Sequence, residues 1–110
     1  MSDHLEPLTS DLSQILLHKA RLEARAGDWP RCEDLATRGI FRAPEPTCAL
    51  ALHLVRAQAR FETGDFSGAS ADLDRADDLR AVFPVAAIAA EVLELRLRLQ
   101  AHLAPEYALA

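Results

Sequence analysis

The chain is short of the residues that build β-sheets. Val, Ile and Thr are few among its 110 residues, and these β-branched side chains are the ones that favour strands. An extended sheet is therefore not expected, and folds that need a large one, such as a full Rossmann unit or an α/β barrel, are excluded. A chain of this length has room for one domain.

A long apolar run is also missing. The longest extends from Val82 to Ala90, is interrupted by Pro84, and is far shorter than the ~20 residues that a membrane span requires. The N-terminal segment is acidic and has no basic region followed by an apolar core, so it does not resemble a secretory signal. We therefore expect a soluble, cytoplasmic protein that does not associate with a membrane.

Positive charge is in deficit and is not clustered. There are 17 acidic and 12 basic residues, which gives a formal net charge of −5. A nucleic-acid-binding protein needs a basic stripe that displaces counterions from phosphates, and here acidic residues separate the arginines, so nucleic acid is not expected as a partner. The preference for Arg over Lys, with abundant Ala, is typical of a GC-rich bacterial genome.

One short run of acidic residues interrupts this mixed pattern, at Asp72, Asp74, Asp77 and Asp78. Because a charge run in a helical segment usually faces solvent, we interpret it as a solvated helix face. A docking site for a basic partner is the alternative.

Sequence motifs of catalysis are missing as well. The chain has no GxGxxG, GxxxxGK[ST], HExxH or GxSxG pattern. Cys32 and Cys48 form no CxxC pair and are expected to be small buried apolar residues rather than zinc ligands. His18 and His53 each lack a metal-binding partner at i+4. We therefore expect a protein that is not an enzyme and that holds no metal or cofactor.

What the chain has in quantity is Ala and Leu, which together make up 39 of its residues. Both favour helix, because neither loses much rotamer freedom in a helical turn. Apolar spacing, candidate N-caps, glycines and prolines predict an all-α fold of about five antiparallel helices. The predicted elements are a flexible tail over 1–8, helices over 9–26, 28–39, 46–63, 65–81 and 84–103, and a tail over 105–110.

An offset of 37 residues aligns the first two helix pairs. The segment GDW at 27–29 falls on GDF at 64–66, and Ala20 falls on Ala57. Cys32, Ala36 and Gly39 fall on Ala69, Leu73 and Ala76, so that small residues coincide at the first and third of these positions. Each Gly-Asp turn reverses the chain, the aromatic residue fills the gap between the two helices, and the small residues allow close helix approach. A period of this length is typical of stacked helical repeats.

On these residues the chain resembles the tetratricopeptide-repeat (TPR) family. The resemblance implies a single domain over 9–104, with repeat one at 9–42, repeat two at 46–81 and a capping helix at 84–103. The chain departs from the family pattern where His53, Arg56 and Arg60 replace large first-helix residues. It also lacks the proline expected after Leu79, and its inter-repeat loop is longer. An ordinary five-helix bundle with a chance repeat is the alternative.

The resemblance further implies a concave groove along the first helix of each repeat. Apolar residues at 17, 55 and 88 stand where the family's carboxylate clamp needs polar ones, so an amphipathic helix or an apolar extended segment is the expected ligand. The implied groove residues are Leu17, His18, Arg21, Leu54, Val55, Gln58, Phe61, Val85, Ile88 and Val92.

The fifth helix carries more leucine than one packed face can use. Ile88, Val92, Leu95, Leu99 and Leu103 form one apolar stripe. A second stripe contains Leu93, Leu97 and Ala101, and the fourth helix can cover only one of the two. The second stripe is therefore expected to be covered by a partner or a second copy, unless the C-terminal tail folds back onto it or its exposure is simply tolerated.

These observations predict a protein–protein interaction module, an adaptor or chaperone that holds an apolar or amphipathic segment of a partner protein. In architecture it resembles the small class of bacterial type III secretion chaperones. The alternative is a self-associating structural or regulatory protein that forms a homodimer through its C-terminal helix.

Overall fold

A computed structural model describes the backbone of residues 5–83 and 86–103. Within these residues the chain forms five helices and no strand, which confirms the predicted all-α fold. None of the described helices is long and apolar enough to cross a membrane. The helices are α1 (Leu5–Ala26), α2 (Trp29–Phe41), α3 (Pro46–Thr63), α4 (Phe66–Val82) and α5 (Ala86–Leu103).

Two predicted helix boundaries differ from the observed ones. Helix α1 begins at Leu5, so residues 5–8 are not part of a flexible tail. Pro7 falls in its first turn, where proline is tolerated because the first N–H groups have no acceptor within the helix. Residues 1–4, 84–85 and 104–110, which include the other predicted tail and the predicted start of the fifth helix, lie outside the described residues.

Helix α2 continues past Gly39, where the sequence predicted its end, and stops at Phe41. A Cβ atom on Gly39 would lie 2.8 Å from Cδ2 of the buried Leu52. Gly39 is therefore a point of close approach between α2 and α3. The chain leaves α2 through Arg42 and Ala43, and Ala43 has a φ of 51°.

The two Gly-Asp turns, at 27–28 and 64–65, have the same local geometry. Both glycines adopt positive φ, 80° and 89°, which residues with a Cβ rarely adopt. Both aspartates cap the following helix, one accepting a hydrogen bond from the N–H of Arg31 at 3.2 Å and the other from the N–H of Gly68 at 2.9 Å. Each pair of helices thus reverses direction in the same way.

The helices pack in two layers. Helix α3 contacts α1 and α5, while α2 contacts α1 and α3, and α4 contacts α3 and α5. One layer therefore contains α1, α3 and α5, and the other contains α2 and α4. The molecule measures 64 × 30 × 19 Å along its principal axes.

Among the described side chains, the core consists of two clusters, one on each side of α3. The first joins α1, α2 and α3 and includes Ala20, Cys32 and Leu52, each fully buried. The second joins α3, α4 and α5 and includes Ala57, Leu73 and Val92. The small residues of the predicted repeat are buried where helices meet, whereas Trp29 is only half-buried.

Candidate functional site

The α1–α3–α5 layer carries a continuous groove, formed by three adjoining concavities of about 360, 350 and 180 Å³. Arg21 and Ala51 line both the first and the second. Leu54, Gln58 and Glu91 line both the second and the third. The groove therefore extends from the N-terminal end of α3 to the C-terminal half of α5.

The groove has an apolar floor and polar walls. Leu17, Leu54 and Val55 are all less than 10% exposed, so their side chains belong mostly to the core. The exposed walls are charged, with Arg21 and Arg25 on α1 and Glu91, Glu94 and Arg98 on α5. A bound segment would thus meet a basic wall on one side and, on the other, a wall where Glu91 and Glu94 outnumber Arg98, which is paired with Glu62.

The structure brings most of the predicted groove residues together. Val92 instead lies in the second core cluster at 2% exposure, and Val85 lies outside the described residues. The predicted residues that line the groove are Leu17, His18, Arg21, Leu54, Val55, Gln58 and Ile88.

Phe61, also predicted for the groove, belongs to an aromatic cluster at the end of α5. Its ring meets that of Phe66 edge-on at 5.7 Å between centroids, and the Arg98 guanidinium lies 4.9 Å from its centroid. The ring of His102 stacks at 4.2 Å on Phe66, and Arg98 pairs with Glu62 at 3.1 Å. These contacts attach α5 to the turn between α3 and α4.

The second stripe of α5, Leu93, Leu97 and Ala101, points away from the core. Leu93 is 58% exposed and Leu97 is 55% exposed, whereas Leu95 and Leu99 on the opposite side of the helix are buried. We refer to the three residues as the α5 stripe.

A further exposed apolar surface, which the sequence patterns did not predict, lies on the outer side of α1 and α2. It surrounds a concavity of about 510 Å³. Phe41 is 85% exposed, and Leu12 and Ile15 are 41% and 48% exposed. We define the α1–α2 surface as Leu12, Ile15, Leu16, Lys19, Arg38, Phe41 and Arg42.

A buried ionic cluster joins α2, α3 and α4 on the side of α3 away from the groove. The Asp72 carboxylate, 2% exposed, accepts hydrogen bonds from Arg56 Nη2 at 2.8 Å and from Arg60 Nη1 at 3.0 Å. His53 Nδ1 lies 2.9 Å from the same carboxylate. The two arginines also reach α2, since Arg56 donates to the Thr37 hydroxyl and Arg60 donates to the Glu33 carboxylate.

The cluster keeps Asp72 ionised. Burial alone would raise the pKa of the Asp72 carboxyl, but hydrogen bonds with His53 and Arg56 and the positive charges of Arg56 and Arg60 outweigh it and hold that pKa below the ordinary 3.8. Burial lowers the pKa of Arg60, and its hydrogen bond to Glu33 and the charges of Asp72, Glu33 and Asp65 more than reverse this and raise it. Each charge is therefore stabilised by its neighbours rather than by water.

The interpretation of Asp72 as part of a solvated helix face is thus wrong. Positions 69, 72, 73 and 76 lie on one side of a helix, and the flanking Ala69, Leu73 and Ala76 are fully buried. His53, Arg56 and Arg60 are spaced by three and four along α3 and so share a face. Together, these two spacings in the sequence could have predicted an ionic contact between α3 and α4.

Both cysteines are reduced and buried. Burial, with smaller contributions from Glu23, Glu33 and Asp28, raises the pKa of the Cys32 thiol to about 11. Burial also raises the pKa of the Cys48 thiol, and Cys48 lines one end of the groove. In the described part of the chain, no three His, Cys, Asp or Glu side chains are grouped in a way that could hold a metal ion.

Comparisons with known proteins assign no relationship to this arrangement. No protein-family model matches the chain, and neither a curated protein nor a solved structure matches it.

Proposed function

We propose that this chain is a TPR-like, non-enzymatic interaction module, a cytoplasmic bacterial adaptor or chaperone that binds a segment of a partner protein along the groove. The groove itself is the observation that supports this proposal most directly. It crosses three helices, and its floor and walls offer an apolar base between two charged edges.

The groove walls favour a particular ligand chemistry. Arg21 and Arg25 attract carboxylates, while Glu91 and Glu94 attract cations. The accessible part of the floor is narrow, because Leu54 and Val55 are nearly covered. The best fit is an extended or helical segment with a few apolar residues and opposite charges along its two edges.

Selection from a random peptide library on the immobilised protein tests this proposal, because it requires no candidate partner. We expect enrichment of peptides that combine apolar residues with an acidic residue on one side. A Gln58→Arg substitution fills the middle of the groove, and Arg25→Glu reverses the charge of one wall. Each should weaken binding of the selected peptides at least tenfold.

The matched controls carry the same kinds of substitution outside the groove. Gln100→Arg changes an exposed glutamine of α5, and Arg75→Glu reverses an exposed arginine of α4. Neither should change peptide affinity. A lack of enrichment, or selected peptides that bind the Gln58→Arg protein as tightly as the original, would contradict the groove as a binding site.

The exposure of the α5 stripe favours a second candidate function, a homodimer formed through the C-terminal helix. Leu93 and Leu97 lie in the middle of an exposed helix face, and apolar area removed from water contributes about 25 cal/mol per Å². A Leu93→Glu/Leu97→Glu double substitution would dissociate such a dimer. Light scattering after size exclusion, which measures the mass directly, would detect the change.

A further inference from the structure

Both ends of the two-layer stack expose apolar side chains. At the α1 end these are Leu12, Ile15 and Phe41, and at the α5 end they are Leu93 and Leu97. Terminal units of stacked helical proteins normally have a polar outer face, which limits further stacking. The side chains that the structure describes at the two ends form no such polar outer face.

The two ends differ in the sign of their accessible charge. Among the described residues, the side chains that line the α1–α2 surface include Lys19, Arg38 and Arg42 and no carboxylate. Arg38 makes an ion pair with Asp34 at 3.1 Å, but both side chains remain more than half exposed. This end of the stack therefore presents positive charge around an apolar centre.

The α5 end has the opposite arrangement. Both of its described arginines are already paired, Arg98 with Glu62 on α3, and Arg96 with Asp77 at 2.6 Å and with Asp74 on α4. Glu91 and Glu94 are exposed on the groove side of the helix. Glu94, three residues before Leu97, therefore borders the apolar stripe, and Glu91 lies one turn before Glu94.

We propose that the α5 stripe of one copy binds the α1–α2 surface of a second copy, so that the protein associates head to tail. Phe41 and the concavity beside it receive Leu93 and Leu97, while Arg38 and Arg42 approach Glu91 and Glu94. Such a contact leaves one α1–α2 surface free at one end of the assembly and one α5 stripe free at the other. The assembly therefore grows with concentration unless it closes into a ring.

Charge favours this arrangement over a two-fold pairing of α5 helices. A two-fold interface sets one surface against itself, so the carboxylates bordering the α5 stripe would meet carboxylates. The head-to-tail contact instead joins surfaces of opposite sign, which favours association and suppresses the alternative. Glu91 and Glu94 also line the groove, whereas Phe41, Leu93 and Leu97 do not, so substitutions at these three positions test the association separately from the proposed groove function.

A mixing experiment separates the two arrangements. The first variant, Phe41→Asp, disables the α1–α2 surface, and the second, Leu93→Asp/Leu97→Asp, disables the α5 stripe. All three positions are more than half exposed, so both variants should fold, which circular dichroism and thermal melting can check. Light scattering is measured on each variant alone, on their equimolar mixture and on the unmodified protein.

Head-to-tail association predicts that each variant alone is a monomer of 12.1 kDa. Their mixture should form a 1:1 complex of twice that mass, because each variant retains one intact and complementary surface. The unmodified protein should increase in average mass with concentration. Added salt should weaken the association, because charge pairs at the rim are screened.

Three results would overturn the proposal. In the first, the Phe41→Asp protein alone still forms a dimer, as a two-fold α5 contact requires. In the second, the mixture remains monomeric although the unmodified protein associates. In the third, the unmodified protein is a monomer at every concentration up to the millimolar range.

A charge exchange provides an independent check. Arg38→Glu/Arg42→Glu should weaken association at least tenfold, and so should Glu91→Arg/Glu94→Arg. When the two variants are mixed, each offers one original and one reversed surface, and the two reversed surfaces are again complementary. A mixture that associates no better than either variant alone would count against the predicted contact.

Discussion

At the scale of single residues, Asp72 makes the most concentrated set of polar contacts in the described chain. Its carboxylate binds Arg56 through both oxygens, and it also contacts Arg60 and His53. Removing one partner from a buried ionic cluster leaves the other charges unpaired, which costs more than the cluster itself contributes. The main effect of the cluster is therefore to fix the packing of α4 against α3, and its net contribution to the free energy of unfolding is small.

We predict that Asp72→Asn lowers the free energy of unfolding by about 3 kcal/mol, because Arg56 and Arg60 remain buried without their carboxylate. Asp78→Asn is the matched control on the same helix. Asp78 is exposed, so its replacement should change stability by less than about 0.5 kcal/mol. Urea unfolding followed by circular dichroism measures both, and equal effects would contradict the role of Asp72.

The lowered pKa of Asp72 predicts that the effect of Asp72→Asn on the free energy of unfolding depends on pH. The Asp72 carboxyl binds a proton less readily in the native state than in the unfolded state. Its contribution to the free energy of unfolding is therefore complete above the ordinary pKa of 3.8 and is lost as the pH falls through the lower native pKa. The stability difference between the original protein and Asp72→Asn should therefore narrow below pH ~4. A constant difference from pH 6 down to acid unfolding would exclude an ionised, stabilised Asp72.

The two cysteines should differ in reactivity. Raising the pKa of Cys32 from 9.0 to about 11 reduces its thiolate fraction about a hundredfold, and the side chain is fully buried. Cys48 is 6% exposed and borders the groove, so a disulfide reagent at pH 8 should label Cys48 first. A peptide bound in the groove should slow Cys48 labelling and leave Cys32 labelling unchanged, and mass spectrometry of the labelled protein would detect this.

At the scale of elements, the local signals determine each hairpin and its turn. A glycine with positive φ followed by a capping aspartate ends one helix and starts the next, and both requirements are local to a few residues. The 37-residue offset therefore predicted the two turns well. The offset did not predict that α2 continues past Gly39. The glycine at this position is explained by the close approach of Leu52 from α3, which is a contact between distant parts of the chain.

Helix α5 illustrates an element whose two faces have different roles. We predict that Leu99→Ala, at 3% exposure, destabilises the monomer by about 3 kcal/mol through loss of apolar burial. Leu97→Ala, on the same helix at 55% exposure, should change monomer stability by less than about 0.5 kcal/mol. Thermal unfolding at low protein concentration compares the two, and similar shifts in Tm would show that α5 packs differently.

At the scale of the whole molecule, the contacts of α3 with both α1 and α5 extend the stack in one direction. The radius of gyration over Cα atoms is 15.0 Å, whereas a compact domain of this length has about 13 Å. Small-angle X-ray scattering extrapolated to zero concentration should give the larger value. A value of about 13 Å would indicate a closed bundle instead.

The sequence by itself determined the helical class, the positions of the two Gly-Asp turns and the two faces of α5. These follow from propensity, backbone conformation and the spacing of apolar residues within one segment. Only the tertiary structure decided that Asp72 is buried, that Leu54 and Val55 are more core than groove surface, and that Phe41 is exposed at the α1 end. Such outcomes depend on which helix covers each face, and that choice depends on contacts between residues far apart in the chain.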